Sequence, residues 1–276
     1  MSDEIKILKA EVKRLKTELS CLTPSLDLML RRKGFNIYKK NPSGDLLIPD
    51  KKYRGEFYEK LKKYSFRIFL RDVIKYQDFF TLEGMTKYTT EEVSGEYLDF
   101  LLKMKISEQT GEGYRLKKLP VKSFGETLEW FTARLIRDGL QAETAWGVKF
   151  RGHQAGGDYD LLAKVDSSLL YMEIKSSPPK QIYDREVSSF LNRIDDLVPD
   201  IAVFFVDTEL RMKDKIVPMF EDELKKRYGR PITAERLVKE LFHIREKIFI
   251  INAKGGITAN IRTVLTFIHH KEFTIT

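Results

Sequence analysis

The stretch GGDYDLLAKVDSSLLYMEIKSS, residues 156–177, holds the charged side chains best placed to do chemistry. Asp158 and Asp160 stand in front of one apolar run, and Glu173 and Lys175 close the next. Glu173 and Lys175 are two residues apart, so both leave one face of a strand while Met172 and Ile174 leave the other. Charges on a buried strand are costly unless they are paired, bound to a metal or set at an opening. The short turn VDSS allows the two runs to pair as a hairpin whose register can bring Asp160 beside Glu173. Neighbouring carboxylates repel each other unless a cation lies between them. Mg²⁺, with Mn²⁺ as a substitute, suits an all-oxygen pair. Such an ion polarises a phosphoryl oxygen and activates water. Lys175 can then position the water or stabilise developing charge. A plain ion pair of Glu173 with Lys175 at a strand end would be worth little, and it leaves Asp160 unexplained.

The surrounding pattern supplies elements to hold these residues. From 121 onward, helices and strands alternate. The expected order is helix 124–138, strands 140–150, 158–165 and 168–175, helix 181–197, strand 200–206, helices near 213–228 and 233–243, strand 247–252 and helix 257–268. The runs DIAVFFVD and KIFIINA read as strands buried on both faces, and the whole is an α/β domain. The helix FGETLEWFTARLIRDGL offers Glu126 and Glu129, one turn apart on one face. Arg185 and Arg193 follow on the helix after the Glu173 strand, where they either meet phosphates or balance Asp184, Asp195 and Asp196.

The first part of the chain is different. Ile5, Leu8, Val12, Leu15, Leu19 and Leu22 are spaced as a heptad seam, giving a coiled-coil helix over 1–22 that could join two copies as a homodimer through residues 5–22. Residues 23–120 form a basic region. A short helix is followed by a hairpin, FNIYKK-NPSG-DLLI, and a helix over 53–77 comes next. Thr89 and Glu92 have capping-box spacing ahead of a helix with Val93, Tyr97, Leu101 and Met104 on one face. A hairpin around Gly111 and Gly113 closes this part. LPVKSFG, 119–125, reads as the linker to the domain 121–276.

The element order from 124 to 206, with Asp160 on the second strand and Glu173-Ile174-Lys175 on the third, resembles the PD-(D/E)xK nuclease superfamily, the restriction-endonuclease-like fold. The resemblance implies a metal-dependent nuclease acting on phosphodiester bonds, with DNA as the expected substrate. It assigns Asp160 and Glu173 as metal ligands, and Lys175 and one glutamate of the preceding helix as further catalytic residues. Glu129 is preferred to Glu126 by its distance from Gly139, and Asp160 to Asp158 because it directly precedes LLA. Residues about 64–118 resemble a winged helix-turn-helix. Its would-be recognition helix carries Glu91, Glu92, Glu96 and Asp99, which repel phosphates. The expected nucleic-acid contacts are therefore Lys60, Lys62, Lys63 and Arg67 before it and Arg115, Lys117 and Lys118 on the wing. The alternative is a non-catalytic DNA-binding or assembly protein that uses this fold as a scaffold.

Composition agrees with a polyanion partner. The net charge is +8. Residues 1–120 contribute 25 Lys and Arg against 18 Asp and Glu, or +7, and the remainder only +1. One cysteine, Cys21, excludes an internal disulfide and a Cys-based zinc site. His153, His243, His269 and His270 have no metal-ligand spacing with it. No apolar run is long enough to span a bilayer and MSDEIKILKA lacks a signal-peptide core, so a cytoplasmic protein is expected.

Overall fold

In a computed structural model, the chain is described over residues 2–118, 120–152 and 156–272. The apolar runs form one mixed eight-stranded sheet. Its strands are β1 (Ile37–Lys39), β4 (Glu143–Phe150), β5 (Tyr159–Val165), β6 (Ser168–Lys175), β7 (Ile201–Val206), β8 (Glu235–Val238), β9 (Leu241–Ile244) and β10 (Ile248–Asn252). The order across the sheet is β1-β4-β5-β6-β7-β10-β9-β8. β6, β7 and β10 run parallel, and the other neighbours pair antiparallel. The remaining two strands, β2 (Ser107–Thr110) and β3 (Gly113–Leu116), form a separate hairpin.

Each face of the sheet has its own core. Met172 and Ile174 look towards one side, where α6 (Gly125–Leu140) and α9 (Ile257–Glu272) pack with Leu128, Phe131, Ile136, Ile261 and Val264. Tyr171, on the opposite side, meets Phe190 of α7 (Asp184–Leu197) and Phe220 of α8 (Ile216–Tyr228) through a chain of tilted and edge-on rings. The alternation read in LLYMEIK therefore serves two apolar layers at once.

The N-terminal part begins with α1 (Ser2–Leu22) and α2 (Leu26–Arg32). It continues through α3 (Arg54–Leu61), α4 (Tyr64–Lys75) and α5 (Glu91–Lys103) to the small hairpin. Four expectations need correction. The hairpin FNIYKK-NPSG-DLLI does not form: Ile37 and Lys39 pair instead with β4, because an edge strand is available there. The helix expected over 53–77 breaks at residues 62–63 into α3 and α4. The expected helix 233–243 is the hairpin β8–β9, turning where Lys239 has φ +50°. Finally, the linker does not separate two cores. Phe57, Phe66, Leu70 and Leu101 belong to the same apolar cluster as Phe131 and Leu161. The amide of Leu26 is bound by Glu143 at 2.8 Å and that of Leu47 by Thr127 at 2.9 Å.

Candidate active site

The pairing of Leu161 with Met172 fixes the register of β5 on β6, and one residue further along Asp160 stands opposite Glu173. In the same way the pairing of Trp146 with Leu161 and of Val148 with Tyr159 puts Gly147 opposite Asp160. Three adjacent strands thus contribute Gly147, Asp160 and Glu173 to one transverse row. Gly147 has φ +53°, and a Cβ there would lie 2.6 Å from Pro42 Cδ and 3.6 Å from Glu129 Oε2. The missing side chain leaves room for Pro42, and the Glu129 carboxyl of α6 reaches the row beside it. Glu126 is used elsewhere, accepting the Asp45 amide at 2.9 Å. Asp158 is partly exposed and pairs with Lys149 at 2.8 Å.

Glu173 is buried and surrounded by donors. Lys175 Nζ lies 2.8 Å from Oε1, and Arg193 of α7 reaches Oε2 at 2.9 Å and Oε1 at 3.1 Å. The Tyr171 hydroxyl also donates to Oε2. Asp160 Oδ2 accepts the Ile174 amide at 2.7 Å. A Cβ on Gly157 would sit 2.7 Å from Arg193, so the bare backbone of the 156–157 turn admits the guanidinium. Lys175 Nζ has a second acid, Glu186, at 3.5 Å.

These contacts set the protonation states. Burial, followed by the Glu173 charge, pushes the Asp160 carboxyl up to about 7. Burial, then Asp160 and Glu126, raises Glu129 to about 9. For Lys175 burial pulls downward, but Glu173 and Asp160 together outweigh it and raise the ammonium to about 12. At neutral pH, Glu129 is therefore a neutral acid, Asp160 is poised between its two forms, and Lys175 is a fixed positive charge.

Among the described residues no three His, Cys, Asp or Glu side chains are gathered closely enough to enclose a metal ion by themselves. Mg²⁺ does not demand such a cage, since it usually keeps several waters and takes one or two carboxylates plus substrate oxygens. Asp160 and Glu173 bring carboxylates from adjoining strands to one row, where both Glu173 oxygens are bonded by Lys175, Arg193 and Tyr171 and Asp160 Oδ2 accepts the Ile174 amide.

The expected nucleic-acid contacts do not form one surface of free cations. Arg67 is a correction: it is only 2% exposed and lies against Asp207 at 2.7 Å. Arg71 joins the same carboxylate. Asp207 follows β7, where its amide binds the Lys175 carbonyl at 2.8 Å. The arginine read as a phosphate contact thus anchors α4 behind the Lys175 strand. Arg115 and Lys117 share Glu108 at 2.8 and 3.9 Å. Lys118 bonds the Leu46 carbonyl at 2.8 Å. Lys62 pairs with Glu59 at 2.7 Å, and Lys60 lies 4.9 Å from the Phe100 ring centre. Lys63 is exposed.

Sequence reasoning missed Tyr171 as a partner of Glu173, although its position two residues earlier on the same strand face was the available signal. For Arg193 the sequence left two roles open; its acid is Glu173. Of the histidines, His153 lies outside the described residues, and His243 is buried against Phe249 and Phe267.

No protein-family model and no curated protein matches the chain. Among solved structures, the crystal structure of protein VC1899 from Vibrio cholerae aligns with 90% of this chain and 61% of that one, at a TM-score of 0.44 and 12% identity. The chain thus spans less than two thirds of that protein, and a likeness of this degree carries no argument about activity.

Proposed function

We propose that this chain is a divalent-cation-dependent nuclease of the PD-(D/E)xK type, hydrolysing phosphodiester bonds in nucleic acid, with DNA as the first expectation. The observation that carries the reading is the register that sets Asp160 against Glu173, with Lys175 Nζ 2.8 Å from the same glutamate. Asp160 and Glu173 would hold Mg²⁺ or Mn²⁺, which when bound supplies Lewis-acid polarisation of a phosphoryl oxygen and a more acidic water.

The chain's own residues prepare the rest. Lys175, raised to about 12, stays an ammonium throughout the neutral range and cannot serve as a base. Its role is to hold the attacking water and to stabilise charge that develops on the phosphoryl oxygens. Glu129, neutral at pH 7, adds no negative charge where a phosphate must enter. Arg193 offsets Glu173. Lys175 and Arg193 together stand against Glu173, Asp160 and Glu186, so the acids of the row are largely offset where a phosphate would approach. In this reading the N-terminal helices and the β2–β3 hairpin act as the winged-helix-like module and would guide the strand through Lys60, Lys63 and the edges of the hairpin.

A second reading has one observation in its favour. Both oxygens of Glu173 already have protein partners, as expected of a scaffold that binds nucleic acid without cutting it. The two readings separate in one experiment. The purified full chain is incubated with supercoiled, linear, single-stranded and branched DNA and with RNA, with Mg²⁺, Mn²⁺ or a chelator. The nuclease reading expects metal-dependent products from at least one substrate. Binding without products under every metal condition would overturn it in favour of the scaffold.

A further inference from the structure

Helix α1 carries an apolar stripe that no other described part of the chain covers. Ile5, Leu8, Val12, Leu15 and Leu19 are 47–60% exposed, at spacings of three and four. The side chain of Leu22, which ends the row in the sequence, lies outside the described residues. Numbered as heptads, Ile5, Val12 and Leu19 take position a, and Leu8, Leu15 and Leu22 take position d. Two of the three a residues, Ile5 and Val12, are β-branched, and β-branched residues at a with leucine at d favour two parallel strands.

The charges beside the stripe make a separate argument. Position g is glutamate in every heptad, Glu4, Glu11 and Glu18, while position e is Lys9 and, by sequence, Lys16. In a parallel pair, g faces e of the following heptad on the other helix. Glu4 then meets Lys9 of the second copy, and Glu11 meets its Lys16. An antiparallel pair would set glutamate against glutamate and lysine against lysine. Arg14, on the outer side of the helix, braces Glu11 at 2.6 Å and Glu18 at 2.9 Å without occupying the seam.

We infer that α1 joins two copies of this chain as a parallel, in-register, two-stranded coiled coil. The apolar seam calls for a helical partner, and the segregation of Glu to g and Lys to e selects a second copy in the same direction. The pairing gives the assembly a twofold axis along the coil, so both globular parts emerge from the same end. Two candidate sites would then be tethered side by side, whatever their substrate.

The test uses the full chain and needs no cleavage. Sedimentation velocity at 5–50 µM should give roughly twice the 32.3 kDa chain mass. Leu15→Asp should restore the single-chain mass while the unfolding transition of the globular part is unchanged. The triple exchange E4K/E11K/E18K and the double exchange K9E/K16E should each weaken self-association by at least about tenfold. An equimolar mixture of the two should pair again, because every e–g contact is then attractive. Orientation is read from Leu8→Cys in a Cys21→Ser background. Mild oxidation should link the two copies through residue 8, whereas in an antiparallel pair residue 8 lies against the far end of its partner. A full chain that stays single at 50 µM, a dimer that survives Leu15→Asp, charge variants that fail to complement, or absence of the residue-8 crosslink in a dimer would each overturn the inference.

Discussion

Glu129→Gln should make the protein more stable, and increasingly so as pH rises. Glutamine keeps the shape of the side chain beside Gly147 but cannot titrate. The wild-type carboxyl is held at about 9 by burial first and Asp160 next, whereas a glutamate in the unfolded chain releases its proton near about 4.3. Between those two values the folded state keeps a proton that the unfolded state has lost. Stability falls with pH wherever the folded state binds more protons, by about 1.4 kcal/mol per unit for one group. The penalty is absent below the unfolded value, grows through neutral pH and levels off above about 9. From pH 5 to pH 8 the advantage of Glu129→Gln over wild type should thus grow by up to about 4 kcal/mol. For a chain of this size that corresponds to a relative gain of roughly 10 °C in midpoint. Asp160 contributes a slope of its own to both proteins. The assay is urea and thermal unfolding followed by the fluorescence of Trp130 and Trp146, at pH 5, 6, 7 and 8, with a chelator present. Parallel pH profiles for the two proteins would refute the argument that the fold holds Glu129 as a neutral acid.

Three further outcomes follow from particular contacts. Asp207→Asn leaves Arg67 buried without a full counter-charge and should cost about 3–5 kcal/mol, seen as a fall in urea midpoint; an unchanged midpoint would mean α4 is not anchored through this cluster. Gly147→Ala combines φ +53° with a Cβ 2.6 Å from Pro42 Cδ and should destabilise by about 1–3 kcal/mol in the same assay. Binding of Mg²⁺ or Mn²⁺, followed by titration calorimetry in buffers of different ionisation enthalpy, should release protons and tighten from pH 6 to pH 8, because Asp160 at about 7 must ionise to serve as a ligand.

The legible part of the fold was the part fixed by neighbours in the chain. Glu173 and Lys175 share a face because strands alternate, and a tight turn between β5 and β6 set the register that faces Asp160 with Glu173. The bounds of β6 and the helices α6, α7 and α9 followed from local pattern in the same way. The failures came where distant contacts decided. The segment ITAERLVKELFHI has good helix formers at helical spacing, but Leu241–Ile244 is buried throughout and pairs with β10, and tertiary burial overrides propensity. Arg67 looked like one more cation beside Lys62 and Lys63, yet its acid is Asp207, 140 residues further on. The apparent linker at 119–125 carried the usual marks of a boundary, but the apolar faces of α3, α4 and α5 are buried in the same cluster as α6.

The most direct measurement of the central claim separates cutting from binding in Lys175→Ala. On whichever nucleic acid the wild-type chain cleaves with Mg²⁺, single-turnover cleavage and equilibrium binding are measured side by side for both proteins. Lys175 is one cation among many, so phosphate affinity and its salt dependence should change little. Its loss should slow cleavage by about 10²–10³-fold, the scale of removing one preorganised electrostatic partner of a transition state. Unaltered cleavage, or a loss of binding that accounts for the whole loss of cleavage, would contradict the assignment of Lys175 and the site built around it.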